Sequence, residues 1–318
     1  MNTGRSQQTV RDAQRANASR EELVERIASI HRYDGEIEPL PGIYLGRVSA
    51  PLERVHSVLE PSFCVIAQGS KVVFVGDNCY QYDPFNYCLS TLELPRVSHV
   101  LDASKERPYL SFRLALDPNQ VSSIMIEAGH VMASGNANVR AIDVGLLDTE
   151  LLDAVVRLVR LVDSSSGARV IMPLIKREII YRLLISEQGD RLCHLTISGG
   201  YASNIARAVE QIRRNFNQTL RVEDLAQELG MSISSFYQHF KSVTAMSPLQ
   251  FQKRLRIQEA RRLMLGEDLD ATSAAYRVGY NDSSHFSREY KSIFGEPPVR
   301  NVGRLREATI ANGGLKVN

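Results

Sequence analysis

Ala274-Ala275-Tyr276-Arg277-Val278-Gly279, near the C-terminus, restates an earlier stretch, Leu225-Ala226-Gln227-Glu228-Leu229-Gly230, at an offset of 49 residues. Just beyond the glycines, Ser284-His285-Phe286 with Tyr290-Lys291 restates Ser234-Ser235-Phe236 with Phe240-Lys241, now at an offset of 50. Self-similarity at such a period marks a repeated structural unit. Each copy has a short apolar helix, a glycine where the chain leaves it, and a second helix with its own buried stripe, the parts of a helix-turn-helix. Ser232 and Asp282 are the expected N-caps of the second helices.

Phe236 and Phe240 lie four apart and face inward, which turns Ser234, Tyr237, Gln238 and Lys241 outward. In the second unit Phe286 and Tyr290 form the buried pair, leaving Ser283, Ser284, His285, Ser287, Arg288 and Lys291 on the other faces. Arg288 is the best single candidate for a bidentate contact to guanine. Between the units, Ser247-Pro248 opens a helix that runs to Leu265, where Gly266 stops it. Eighteen residues at 1.5 Å span about 27 Å, close to the ~34 Å between successive major-groove faces. This helix carries Lys253, Arg254, Arg256, Arg261 and Arg262 against one acid, Glu259. A solvated basic face and a phosphate-contacting face both fit; Arg254 and Arg256 are the phosphate candidates.

The rest of the chain differs in kind. Residues 200–308 hold 16 Lys and Arg against 12 Asp and Glu, while residues 1–199 hold 21 against 24, so the basic excess sits with the repeat. Residues 1–20 are polar with no apolar stretch, and are expected to form a disordered tail. Leu23, Val24, Ile27 and Ile30 give a short helix over 21–32, ended by Pro39 and Pro41. Short β-branched and aromatic segments follow: Ile43-Tyr44-Leu45, Phe63-Cys64-Val65-Ile66, Lys71-Val72-Val73-Phe74-Val75, Tyr87-Cys88-Leu89 and Tyr109-Leu110-Ser111-Phe112. Their spacing predicts a sandwich or barrel, with a hairpin turn at Gly76-Asp77-Asn78. A helix follows Asp117-Pro118, and two more, over 147–162 and from Pro173 to Ile185, form an antiparallel hairpin joined by the loop 163–168. Its apolar surplus serves intradomain packing or a subunit interface.

The fold class is therefore α+β: a barrel domain with a helical hairpin over 21–195, and an all-α double helix-turn-helix domain over 200–308, with the boundary in 186–200. At 43% hydrophobic and 23% charged residues, and with no apolar run near the ~18 residues of a membrane span, the chain is expected to be soluble and cytoplasmic. Cys64, Cys79, Cys88 and Cys193 form no C-x-x-C pair, which leaves inert core thiols or a redox or electrophile sensor.

Residues 200–300 resemble the AraC/XylS family of bacterial regulators, most specifically in Ala275-Tyr276-Arg277-Val278-Gly279-Tyr280, Ser284-His285-Phe286-Ser287-Arg288, Phe294-Gly295 and Pro297-Pro298. Ala245 stands where the family usually has glycine. The resemblance places base reading on Ser234, Tyr237, Gln238, Ser283, Ser284, Ser287 and Arg288. The segments 59–69 (Leu59-Glu60-Pro61-Ser62-Phe63 onward) and 94–100 (Leu94-Pro95-Arg96 onward) resemble the sensor of one subgroup. This implies a cupin-like barrel, dimerising helices, promoter DNA and RNA polymerase as partners, and a small-molecule effector.

Phe63, Val65, Phe74, Tyr87, His99 and Phe112 are the candidate effector-pocket residues; a purely structural dimerisation domain is the alternative. A cupin-type metal enzyme is disfavoured. His31, His56, His99, His130 and His194 form no H-x-H pattern, and no G-x-S-x-G, H-E-x-x-H or phosphate loop occurs. No catalytic residue, metal ligand or cofactor is assigned. A non-specific architectural DNA protein would lack the outward hydrogen-bonding side chains.

Overall fold

The computed structural model describes residues 2–129, 139–163, 165–195 and 201–311. The chain opens with helix α1 (Asn2–Ile30) and continues through strands β1 (Gly35–Leu40), β2 (Ile43–Val48), β3 (Leu52–Leu59), β4 (Ser62–Gln68), β5 (Ser70–Val75), β6 (Asn78–Tyr82), β7 (Asn86–Ser90), β8 (Leu94–Asp102) and β9 (Tyr109–Ala115). Helix α2 (Pro118–Glu127), strand β10 (Ile142–Leu146) and helices α3 (Thr149–Arg160), α4 (Ser165–Leu184) and α5 (Gly189–Leu192) complete the N-terminal part. The C-terminal part is helical: α6 (Tyr201–Arg214), α7 (Val222–Glu228), α8 (Ile233–Thr244), α9 (Pro248–Gly266), α10 (Ala271–Arg277), α11 (Ser283–Phe294) and α12 (Pro298–Ala311).

The strands make two antiparallel sheets, ordered β1-β2-β9-β4-β7-β10 and β3-β8-β5-β6. The Gly76-Asp77 turn closes β5 onto β6, with Val75 opposite Asn78 and Gly76 at φ +58°. One core lies between the larger sheet and helices α1, α3 and α4, and contains Ile43, Leu45, Phe63, Val65, Tyr87 and Phe112 against Leu23, Ile27, Val155 and Ile179. A second core starts between the sheets, at Ile66, Val73, Tyr82 and Tyr109, and continues without a break into Ile205, Leu225, Phe236, Phe240 and Phe251. The first helix-turn-helix thus shares its apolar core with the barrel. The second has its own, built from Ile257, Met264, Ala274, Val278, Phe286 and Tyr290.

Three expectations need correction. The polar start of the chain is not a disordered tail but the first part of α1, which extends back to Asn2. Arg, Gln and Ala are good helix formers, Ala16 is buried, and Arg15 bonds Glu150 on α3. That helix ends at Ile30, well before the prolines, and Pro39 lies inside β1. Pro173 sits inside α4 rather than in its first turn, because the serine- and glycine-containing stretch is already helical from Ser165, shortly after the 3-10 segment Leu161–Asp163. Residues 196–200 of the expected boundary, and His130, lie outside the described residues.

Candidate DNA-binding interface and sensor interior

Each recognition helix is capped as its sequence requires. Ser232 Oγ accepts from Ser235 N at the start of α8, and the Asp282 carboxylate accepts from Ser284 N at the start of α11. Both helices end on a left-handed residue, Ala245 at φ +60° and Gly295 at φ +79°. Ala245 carries a Cβ in a conformation that favours glycine. The Thr244 hydroxyl supports the turn there, donating to the carbonyls of Phe240 and Met246 and accepting from Met246 N.

Phe236, Phe240, Phe286 and Tyr290 are fully buried. Ser234, Gln238 and Lys241 are exposed on α8, with Tyr237 half-buried; Ser284, His285, Arg288 and Lys291 are exposed on α11, with Ser283 and Ser287 half-buried. No ion pair among the described residues engages Arg288, whereas His285 approaches Glu289 at 3.5 Å.

The spacer helix is capped by a reciprocal box. Ser247 Oγ accepts from Gln250 N, and Ser247 N donates to Gln250 Oε1 at 2.9 Å. Its cations have other employment than a solvated face. Arg256 donates to three backbone carbonyls, Phe216 at 2.6 Å, Gln218 at 2.7 Å and Gly279 at 3.0 Å. Lys253 pairs with Glu289, and Arg262 with Glu259 and Glu267. Arg254 is half-buried, and the charge favouring its cation is Asp77 on the barrel.

The barrel is seated against both helix-turn-helix units. Ala141 N donates to Val243 O at the end of α8, and Gly76 packs so closely that a Cβ there would fall 2.1 Å from Ala245 O. An open cleft of about 470 Å³ between the barrel and α8 is lined by Asp77, Asn78, Arg140, Gln238 and Lys241. On α9, Gln258 donates to Ser57 O at 3.1 Å and Arg261 to His56 O at 2.5 Å. The His56 ring stands edge-on to Phe294 of α11 at 4.6 Å, with Arg261 4.3 Å over the same ring. Burial and the neighbouring Arg261 push His56 down to about 4, so it is neutral at physiological pH.

None of the six candidate effector-pocket residues faces the barrel interior. Phe63, Val65, Tyr87 and Phe112 lie on the helix-covered face of the larger sheet. Phe74 and His99 lie on the outer face of the smaller one, since Phe74 pairs with Val97 and His99 with Val72, alternating with the buried pair Val73 and Ser98. The interior instead takes the alternate positions: Cys64, Ile66, Cys88, Tyr109 and Ser111 from one sheet, and Lys71, Val73, Tyr82, Arg96 and Ser98 from the other. Cys64 and Cys88 are direct cross-strand partners, and burial pushes the Cys88 thiol far up, away from reactivity. Cys79 is exposed on β6. Thus the sequence reading missed Lys71 and Arg96, whose only sequence signal is a charge inside an apolar strand.

The His56 ring lies against Phe294, and the Glu60 carboxylate, four residues on, accepts from Arg113. Among the described residues no group of three His, Cys, Asp or Glu side chains is placed to hold a metal ion. No helix among them is long and apolar enough to cross a membrane.

Residues 39–191 match the family model described as the AraC-type transcriptional regulator N-terminus, and residues 225–301 match one described as a helix-turn-helix domain. The chain is 26% identical over 167 residues to the HTH-type transcriptional activator RhaS of Salmonella schwarzengrund, covering 52% of this chain and 58% of that one. RhaS of Pectobacterium carotovorum is 27% identical over 101 residues, covering 32% and 36%. The chain therefore spans between 36% and 58% of the length of these two curated relatives. In three dimensions it is similar to an apo lysine variant of ToxT from Vibrio cholerae, with a TM-score of 0.53 at 12% identity, over 82% of this chain and 97% of that one. ToxT bound to an unsaturated fatty acid gives 0.50 at 12% identity, over 82% and 94%. These two likenesses speak for the shared α+β fold. Both family models match in order along the chain, which makes it similar to AraC-type transcriptional regulators over residues 39–191 and to helix-turn-helix domains over residues 225–301.

Proposed function

We propose that this chain is a sequence-specific DNA-binding transcription regulator, an activator like its RhaS relatives, whose barrel senses a small molecule. The observation that carries the reading is the pair of capped recognition helices with exposed hydrogen-bonding faces, joined by a 19-residue helix that spans close to one groove repeat. Ser234, Tyr237, Gln238 and Lys241 would enter one major groove, and Ser283, Ser284, His285, Ser287, Arg288 and Lys291 the next. Promoter DNA and RNA polymerase are the expected macromolecular partners. No catalytic step is assigned.

Arg288→Ala is expected to weaken binding to a selected site by about 1–3 kcal/mol, concentrated at one base pair, with little change on random duplex. Equal losses on selected and random DNA, measured by titration at fixed salt, would remove Arg288 from base reading.

An effector reading is supported by the polar residues inside the barrel and by a ligand-bound ToxT structure of the same fold. A second copy of the chain is proposed to dock on α4, where Val170, Ile171, Leu174, Tyr181 and Ile185 are exposed along the helix. Leu174→Glu is expected to turn a dimer into a monomer in sedimentation. A parent chain that is already monomeric contradicts this interface.

A further inference from the structure

Residues 140–141 are pinned between the barrel and the end of α8. Ala141 N donates to Val243 O in the last turn of that helix, Ala141 O accepts from Thr91 N, and Arg140 O accepts from Arg191 Nη1. With its backbone held on both sides, Arg140 projects at a fixed place on the wall of the cleft that also contains Asn78, Gln238 and Lys241. Arg140 and Lys241 are exposed, and no ion pair among the described residues includes either. The Arg140 charge is felt by the Tyr80 hydroxyl, a neutral group that burial pushes up. Asp77, the acid on the same wall, is the charge that favours the half-buried Arg254 cation. The surroundings of the cleft are therefore positive on balance.

The α8 wall of the cleft continues the stripe assigned above to base reading. Ser234, Gln238, Lys241 and Ala245 follow one another at helical spacing. Lys241 stands about 10 Å along the helix from Ser234, close to the ~12 Å width of a major groove. A groove entered at Ser234 is thus bounded by a phosphate strand near Lys241. Free carbonyls at a helix C-terminus repel an anion. Here those of Lys241 and Val243 are already taken, by Ala245 N and Ala141 N.

Resting on the regulator reading above, we propose that the barrel is itself part of the DNA interface. A backbone phosphate of the duplex on α8 sits in this cleft, between the Arg140 guanidinium and Lys241 Nζ, beside Asn78. Arg140 is the barrel's contribution, and its partner is the phosphate strand rather than a base. Such a contact fixes register and orientation without carrying sequence information. A barrel seated on α8 in this way adds to DNA affinity, and lifting it off removes one phosphate contact.

The test uses the purified full chain, titrated at several salt concentrations onto a duplex selected from a random pool and onto a random duplex of equal length. Melting temperature is followed beside affinity. Arg140→Ala is expected to weaken both duplexes alike, by about 5-fold at low salt, and to lower the salt slope by about one. Its melting temperature should stay within about 1 °C of the parent, as for an exposed side chain without an ion pair. Arg140→Lys keeps the charge and should keep the slope. Arg11→Ala removes an equal charge from the exposed face of α1, beyond the larger sheet, and should leave the slope unchanged.

An unchanged slope for Arg140→Ala, a loss confined to the selected duplex, an equal loss for Arg11→Ala, or a loss that follows a lowered melting temperature would each overturn the proposal and leave the regulator reading standing. If the parent chain shows no preference between the two duplexes, the regulator reading fails, while the slope on random duplex still decides the Arg140 contact.

Discussion

Phe286→Ala is expected to destabilise the second helix-turn-helix by about 3–5 kcal/mol. The ring is fully buried, stacked edge-on between Tyr280 at 5.3 Å and Tyr290 at 5.6 Å. Its core is separate from the one shared by the barrel and the first unit, so the damage stays local. Hydrogen exchange should show α10, α11 and α12 opening while β4, β9 and α8 keep their protection. Affinity for a selected site should fall to that of a one-headed binder. Uniform loss of protection across the chain would mean that the three cores unfold as one.

Arg256→Ala is the second large effect, and its sign separates two roles. A phosphate contact would, when removed, weaken all DNA alike and lower the salt slope by about one. The structure instead has Arg256 holding the carbonyls of Phe216, Gln218 and Gly279, which ties the turn before the first unit to the turn inside the second. That junction is already tight: Gly279 has φ +89°, and a Cβ there would fall 2.0 Å from Asn217 O. Removing the guanidinium takes the side-chain donor from Gly279 O, while Phe216 O and Gln218 O keep Gln252 Nε2 at 3.0 Å and 2.7 Å, for a loss of about 1–3 kcal/mol. The expected result is a lowered melting temperature with the salt slope unchanged. Arg256→Lys should recover only part, because an ammonium lacks the planar fork that reaches all three carbonyls. A reduced salt slope at unchanged stability would return Arg256 to the phosphate contacts.

These two residues show where sequence is sufficient and where it is not. Phe286 was legible because a helix with one apolar stripe has a single inward face, and because the motif occurs twice. Arg256 was not, since the partners of a cation on a helix are set by turns 23 to 40 residues away in sequence. The effector-pocket candidates lie off the barrel interior for a reason specific to this barrel. The larger sheet is covered on both sides, by helices and by the opposite sheet, so β4 reads Phe63-Cys64-Val65-Ile66-Ala67 with apolar residues on both faces. Alternation locates a strand but does not say which face is the interior when neither is wet. The inward Lys71 and Arg96 stood out only once register was known. The polar beginning of α1 misled in the opposite direction: it is helical through propensity and the ion pairs of Arg15 with Glu150 and Asp153.

The central claim is that two recognition helices on one chain read adjacent major grooves. Base interference on a duplex selected from a random pool tests it most directly, with the parent chain compared with Gln238→Ala and Arg288→Ala. The account predicts two contacted patches on one face of the duplex, about 10 base pairs apart, of which Gln238→Ala weakens one and Arg288→Ala the other. A single patch, or two patches that both variants weaken together, would contradict it.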